Sequence, residues 1–376
     1  MRTLFAPVKI ANIEVPNRFV RSATYDAGAD KNFVSDWQID LYGSLAKGGI
    51  GLIISGTFQV IDWGDMPPMM NLLTDDKFVP GLKKLADAVH RHGSKLAVQL
   101  FHSGREAWRL LQAKGMEAMG PSAVRAGEEL FFKGSCRGMT SEEILAVVNG
   151  FASAARRARE AGCDAVQIHA AHAYLPAQFL SPWSNHREDE WGGALENRLR
   201  LHKEIYRAIR AEAGPGYPVL IKLGVCDGFP GGLPFEEGLE AAVQLADLGY
   251  DSIEVSQGLR GVKWEQTEMR DKVIKREREA YFREWTRQVK KNVNVPVMMV
   301  GGLRSVDLME EVAAVGETDF VCLSRPLVRE PDLVASWFQG KTRRPACISC
   351  NKCFEEVIKG KRLCCWAGRG DHAKKQ

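Results

Sequence analysis

Short apolar runs rich in β-branched residues alternate along the chain with longer stretches whose apolar positions recur every three to four residues. Runs of the first kind suit strands buried on both faces, and the second kind suits amphipathic helices laid over them. The expected strands are Phe19 to Ala23, Gly51 to Ser55, Lys95 to Leu100, Ala165 to His169, Val219 to Leu223, Ser252 to Val255, Val297 to Val300 and Phe320 to Leu323. Helical periodicity fills Ser35 to Lys47, Phe78 to His92, Ser141 to Ala161, Glu196 to Ala213 and Phe235 to Leu248. Thr140 or Ser141, followed by Glu142 and Glu143, reads as an N-cap with an acidic first turn, and Gly93, Gly162 and Gly249 stand where helices should stop. Eight strand-helix units close most naturally into a barrel, whereas an open doubly wound sheet usually has fewer strands. The expected fold class is therefore α/β, a single (β/α)8 TIM barrel over residues 1–340, followed by a short Cys-rich C-terminal tail over 341–376.

Two intervals break the rhythm: a long loop after strand 3, Phe101 to Gly138, and a second from Ala170 to Leu195 after strand 4. Loops of such length usually serve binding or act as lids, and both leave the C-terminal mouth of the barrel, where this fold builds its active sites. Trp63 to Met70 and Trp264 to Met269 are candidate cavity walls, with ordinary loop packing as the plainer reading.

Composition narrows the class. Hydrophobic residues make up 45% and charged residues 26% of the 376, enough for a sizeable core. The net charge is only +4, from 51 basic and 47 acidic residues, with no basic run interleaved with aromatics, so nucleic acid is not an expected partner. No leader pattern and no long apolar stretch is present, so the expected setting is cytoplasmic, with no membrane. Small-molecule substrates are the expected partners, and the sequence does not specify whether the chain forms a homo-oligomer. The nine cysteines are odd in number, and Cys347, Cys350, Cys353, Cys364 and Cys365 crowd the end of the chain, which is no disulfide framework.

The sharpest chemical constellation is Gln167-Ile-His169-Ala-Ala-His172-Ala-Tyr174, where strand 4 ends. Two imidazoles on such a loop can donate hydrogen bonds to an oxygen that gains charge, and a phenol beside them can supply a proton. Histidines satisfied by loop backbone, or half of a metal site, are the plainer alternatives.

The longer run from His169 through Gln178, Ser181, Pro182, Asn185, Arg187, Asp189, Gly192, Gly193, Glu196 and Asn197 to Arg198 resembles the central signature of the Old Yellow Enzyme family, the NADH:flavin oxidoreductases and ene reductases. Pro16-Asn17-Arg18, Gly49-Ile-Gly51, Gln99-Leu-Phe-His102-Ser-Gly104-Arg105, Val300-Gly301-Gly302 and Leu323-Ser-Arg325-Pro326 extend the resemblance over about residues 1–340. It implies bound FMN, with NAD(P)H, either NADH or NADPH, as electron donor. By that resemblance Gln99 would meet the flavin pyrimidine edge, and Ser22, Ala23, Thr24 and Gly56 would lie along the ring. Gly301, Gly302, Ser324 and Arg325 would hold the phosphate, which agrees with the usual phosphate site after strands 7 and 8. His169 and His172 would hold the substrate oxygen, flavin N5 would deliver hydride to the β-carbon of an activated alkene, and Tyr174 would protonate the α-carbon. Two positions depart from the family pattern: Lys222 replaces an arginine near the flavin, keeping charge but losing the fork, and Tyr25 stands at the substrate side where relatives carry Thr or Cys.

The tail, Cys347-Ile-Ser-Cys350-Asn-Lys-Cys353 with Cys365 as the fourth thiol, resembles the cluster segment of 2,4-dienoyl-CoA reductase and trimethylamine dehydrogenase. A [4Fe-4S] cluster stands there against structural zinc and free thiols. Two other readings remain open: a dienoyl-thioester reductase or amine dehydrogenase-like iron-sulfur flavoprotein, and a non-catalytic flavin or metal electron-transfer protein. The visible spectrum of the purified protein discriminates among them.

Overall fold

The computed structural model describes residues 3–63, 66–123 and 135–368. Among these, eight parallel strands form a closed ring: β1 (Phe19–Arg21), β2 (Leu52–Gln59), β3 (Lys95–Phe101), β4 (Ala165–Ala170), β5 (Val219–Gly224), β6 (Ser252–Ser256), β7 (Val297–Met299) and β8 (Phe320–Leu323). Each strand pairs in parallel with its sequence neighbour, and β8 returns to β1 through Val321–Phe19, Cys322–Val20 and Leu323–Arg21. The chain is a (β/α)8 TIM barrel, as its hydrophobic rhythm implies.

The outer layer follows from the periodic stretches: α1 (Asp36–Lys47), α2 (Val79–His90), α3 (Ser141–Glu160), α4 (Arg200–Ala213), α5 (Phe235–Leu248), α6 (Arg283–Asn292) and α7 (Val306–Ala314), with short helices Arg325–Arg329 and Leu333–Phe338 after β8. Thr140 caps α3 in a reciprocal box with Glu143, each side chain accepting the other's backbone N–H. Gly249 ends α5 at φ +119°, a conformation that side chains with a Cβ rarely adopt.

Two apolar layers result. One lies between strands and helices, where Phe151 of α3, Ile205 and Ile209 of α4 and Leu245 of α5 are fully buried. The other fills the bottom of the barrel with Val20, Leu52, Ala97, Ala165, Leu220, Met298 and Phe320, closed below by Ile10 and Val15 of an N-terminal hairpin, Val8–Ile10 against Ile13–Val15.

Three expectations are corrected. The stretch from Glu196 to Ala213 is two helices, Leu195–Arg198 and α4, because Arg198 is pinned by the carbonyls of Gly193 and Leu180 and by Glu237. β1 stops at Arg21 rather than Ala23, where Thr24 Oγ1 turns back to the Ser22 carbonyl at 3.1 Å. β2 runs past Ser55 to Gln59 through a bulge, the register slipping between Ile54 and Thr57. The long loop after β3 carries a turn at Gly104–Ala107, a short helix Trp108–Gln112 and a two-stranded parallel ribbon, Ala118–Gly120 with Cys136–Gly138; its residues 124–134 lie outside the described residues.

The tail packs back onto the barrel. Leu363 N donates to the Asp26 carbonyl at 2.8 Å, and Val357 and Leu363 bury themselves against Ala27 and Tyr25. Arg304 reaches the Pro345 carbonyl at 3.0 Å and Ser349 Oγ at 3.2 Å. No helix among the described residues is long and apolar enough to cross a membrane.

Because Phe151 is fully buried in the strand-helix layer, Phe151→Ala should lower unfolding free energy by about 3–5 kcal/mol, measured by urea denaturation. A loss under about 1 kcal/mol would contradict that packing.

Candidate active site

Inside the barrel mouth, buried polar side chains form a chain from strand to strand. Gln99 on β3 donates from Nε2 to Oε1 of Gln167 on β4 at 2.8 Å, and Gln167 donates to Glu254 Oε2 on β6 at 2.9 Å. Glu254 Oε1 accepts from Ser22 Oγ at 2.6 Å and lies 3.1 Å from Lys222 Nζ on β5. Lys222 also donates to Ser22 Oγ at 2.9 Å. Parallel register places Lys222 level with both His169 and Glu254. The cation at position 222 is thus not isolated: its charge is matched by Glu254, a partner that the motif reading left unassigned.

β4 delivers the two imidazoles. His169 sits in its last turn of pairing, and the backbone then passes through left-handed geometry at His172 and Ala173, φ 57° and 65°. Their amides donate to the carbonyls of Gln257 and Gly258 at 3.1 and 3.0 Å, which holds the turn in place. Non-glycine residues in this region store strain and gather at functional sites. The result is convergence: the His169 and His172 rings are 5.0 Å apart, Tyr174 is 4.8 Å from His169, and Phe101 backs Tyr174 at 4.5 Å. His172 Nε2 is 2.8 Å from Ser256 Oγ, while His169 Nδ1 is buried with no protein partner.

Electrostatics fixes the protonation states. Burial first, then the charges of His172, Lys222 and Arg260, pushes His169 well below the usual imidazole range; burial, Lys222 and Arg260 do the same to His172. Both rings are neutral near pH 7, each with one N–H to donate. Burial raises the Tyr174 phenol, with Arg260 opposing, so it keeps its proton.

Three loops are tied together below this cluster by Asp227, which accepts from Ser181 Oγ at 2.6 Å, Leu233 N at 2.7 Å and Leu259 N at 2.6 Å. Only glycine fits at 258, since a Cβ there would come within 2.2 Å of the Asp227 carboxylate. Much of the long signature after His172 is scaffold of this kind. Asn185 spans the Phe179 and Trp191 carbonyls at 2.7 and 2.8 Å, and Arg187 reaches from its loop to the Pro121 and Met139 carbonyls at 2.9 and 2.6 Å.

The residues present suit a large polar ligand. Of the buried polar atoms without a hydrogen-bond partner among the described residues, Thr57 Oγ1, both polar atoms of Gln59, His102 Nε2 and His169 Nδ1 lie near the C-terminal ends of β2, β3 and β4, while others, such as both ring nitrogens of His202 and Tyr217 Oη, lie elsewhere. Such orphans are expensive unless something absent here completes them. Gly56 lies close against the segment after β1: its N donates to Tyr42 Oη at 2.6 Å, and a Cβ at 56 would lie 3.1 Å from the Thr24 carbonyl, while Ala23 packs on the lower apolar layer. Thr24 Oγ1 is 2.7 Å from Ser324 Oγ, joining the two ends of the mouth. Gly301 and Gly302 take φ 124° and 74°, and a Cβ on Gly302 would meet Val273 at 2.8 Å. Arg325 donates to the Arg270 carbonyl at 2.7 Å and to Asn351 Oδ1 at 2.5 Å, so it links the phosphate-loop candidates to the tail.

Tyr25 packs with Cys353, Val357 and Leu363 of the tail. Cys347, Cys350, Cys353 and Cys365 line one cavity of about 20 Å³ together with Arg325 and Asn351. Burial pushes the Cys353 thiol up to about 11. Four thiols and no carboxylate make a donor set chemically suited to a thiolate-held metal group, yet no three His, Cys, Asp or Glu side chains among the described residues stand close enough to hold a metal ion. The cavity as it stands has room for a water. Of the candidate cavity walls, Trp63 stacks edgewise on His102 at 5.2 Å and Met69 packs against the tail.

A match to the NADH:flavin oxidoreductase / NADH oxidase family model extends over residues 3–343. The chain belongs to this family. An NADH oxidase from Thermoanaerobacter brockii is 34% identical over 356 residues, 93% of this chain and 52% of that protein. A cinnamate reductase from Clostridium sporogenes is 32% identical, covering 93% of this chain and 55% of its own length. Among solved structures, a 2-naphthoyl-CoA reductase in complex with 2-naphthoyl-CoA superimposes with a TM-score of 0.87 at 30% identity, over 97% of this chain and 56% of that one. The chain spans about half the length of these relatives. The buried polar lining of the mouth agrees with membership of a flavin oxidoreductase family.

Sequence reasoning missed Glu254, Asp227 and the buried Arg260. For Glu254 a signal existed: a carboxylate between Ile253 and Val255 in a strand buried on both faces. Removing it strands Lys222, so Glu254→Ala should destabilise the protein by about 3–5 kcal/mol, read from urea unfolding. A change under about 1 kcal/mol would show that the pair does not carry buried charge.

Proposed function

We propose that this protein is an FMN-dependent NAD(P)H oxidoreductase that reduces activated C=C bonds such as those of enones and enals. The observation that carries this is the convergence of two neutral imidazoles and one phenol, His172 and Tyr174 each within 5.0 Å of the His169 ring, over a buried polar floor in the barrel mouth. When bound, FMN supplies the two-electron transfer between nicotinamide and substrate. Ser22, Ala23, Thr24 and Gly56 would flank its ring, Gln99 and Lys222 its pyrimidine side, and Gly301, Gly302, Ser324 and Arg325 its phosphate. Residues 1–340 form the flavin-binding unit in this reading and 341–376 the tail.

His169 and His172 each donate a hydrogen bond to the electron-withdrawing oxygen of the substrate, where neutral rings avoid a charge that burial disfavours. Tyr174 gives its proton to the substrate carbon. Tyr25 borders the substrate side. The name of the clostridial relative, a cinnamate reductase, supports an activated alkene as the substrate class. The four tail cysteines are assigned a [4Fe-4S] cluster on their donor chemistry and spacing alone, since as they stand no three of them are close enough to hold a metal ion, and no step of the reaction is drawn through it.

Flavin released by heating should chromatograph as FMN; FAD, or no flavin, would sink the cofactor assignment. Replacing Tyr174 with Phe should slow reoxidation of reduced enzyme by an enone while flavin reduction by NAD(P)H stays nearly intact, and His172→Ala should lower alkene reduction by about 10²-fold, the scale for losing one oxyanion donor. Equal damage to both half-reactions in the Tyr174 variant would remove its role. Iron and acid-labile sulfide in anaerobically purified protein should each approach about four per chain. Zinc, or no metal with unaltered stability of Cys350→Ser, would reduce the tail to structure alone.

A further inference from the structure

Behind Tyr174 lies a buried charge network that the proposed reaction does not use. Arg260, in the loop after β6, is 5% exposed and is gripped by Glu268, whose carboxylate accepts from Nε at 3.0 and 2.9 Å and from Nη2 at 2.6 Å. Glu106, from the loop after β3, approaches Arg260 Nη1 at 4.0 Å and Arg105 Nε at 3.5 Å. Arg105 in turn lies over Trp183 at 4.9 Å. Two guanidinium groups and two carboxylates cancel in charge, so the network is no evident grip for a charged substrate. Its front face meets the phenol: the Arg260 guanidinium stands 5.6 Å from the Tyr174 ring centroid, and its charge opposes the upward push of burial on that phenol.

We infer that Arg260 is a positioning residue for Tyr174: it aims the phenolic proton at the substrate and stabilises the phenolate left when that proton is given up. The inference rests on Tyr174 being the proton donor proposed above. Arginine carries only donors, so toward this guanidinium the phenol oxygen can act only as an acceptor. The phenol's own hydrogen is then free to point away from Arg260, toward the imidazole pair. In the transfer, the Tyr174 O–H bond breaks, a C–H bond forms at the substrate carbon from that carbon's electron pair, and the negative charge stays on the phenolate oxygen. A fixed guanidinium beside that oxygen is worth more here than in water, because its surroundings are dry and it needs no reorientation. Glu268 locks the fork, and Glu106 keeps the second face of Arg260 from seeking another partner. The other ionisable groups near the phenol are Tyr25 and His169; Tyr25 is itself pushed upward by burial and by Asp26, and His169 is neutral.

The test uses flavin-loaded enzyme and follows the two half-reactions separately by rapid mixing. Arg260→Met should slow reoxidation by an enone about 10- to 100-fold, a fraction of what a general acid contributes, and raise its solvent deuterium isotope effect, while reduction by NAD(P)H changes less than about 2-fold. Arg260→Lys, which keeps a cation against Glu268, should recover part of the rate. Should Arg260→Met fail to fold with Glu268 unpaired, the neutral pair Arg260→Gln with Glu268→Gln should fold and show the same selective loss. Unchanged reoxidation in the folded variants, or equal slowing of both half-reactions, would overturn the inference. Normal reoxidation in Tyr174→Phe would instead remove the proton donor on which it rests.

Discussion

Lys222 and Glu254 face each other at 3.1 Å inside a closed barrel whose lower layer is wholly apolar. Folding alone gives no reason for this: burying two charges carries a desolvation penalty of several kcal/mol per ion, and apolar residues of similar volume often do as well or better. The pair is tolerated because Ser22 and Gln167 complete its hydrogen bonds, and through Gln167 the same chain reaches Gln99. One ion pair therefore commits strands β3, β4, β5 and β6, together with Ser22 just after β1, to a polar floor, and the loops above are arranged around it.

That arrangement separates scaffold from chemistry. Asp227, Asn185, Arg187 and Arg198 satisfy backbone groups of the long loops and so fix where the β4 turn stands. With the turn fixed, the left-handed backbone at His172 and Ala173 is affordable, and it brings His172 and Tyr174 to His169. Burial first, with the Lys222 cation and the guanidinium behind Tyr174 adding to it, then keeps both imidazoles neutral. The order of causes runs from loop anchoring to ring geometry to protonation state.

The barrel was legible because each strand is an apolar run with its own helix behind it, and Thr140, Gly93, Gly162 and Gly249 punctuate those helices where the chain turns. The site was legible in part. Spacing alone brought His169, His172 and Tyr174 to one strand end, but the same run held Asn185 and Arg187, whose work is structural, and nothing in one sequence separates the two. Glu254, Arg260 and Glu268 are distant from that motif along the chain and meet it only when the barrel closes. The break at Leu199 depends on the grip of three partners on Arg198, which periodicity does not encode.

The tail extends the same logic outward, since Asn351 meets Arg325 and Leu363 meets the loop after β1, so the cysteine cavity and the barrel mouth share walls. The central claim is that this mouth passes electrons from nicotinamide to an activated alkene through flavin. The most direct measurement is an anaerobic titration of the purified protein with NADH and, separately, NADPH, each followed by an enone. The flavin absorbance should bleach with at least one nucleotide and return when the enone is added. A protein that shows no flavin spectrum, or one whose reduced flavin the enone leaves bleached, would contradict it.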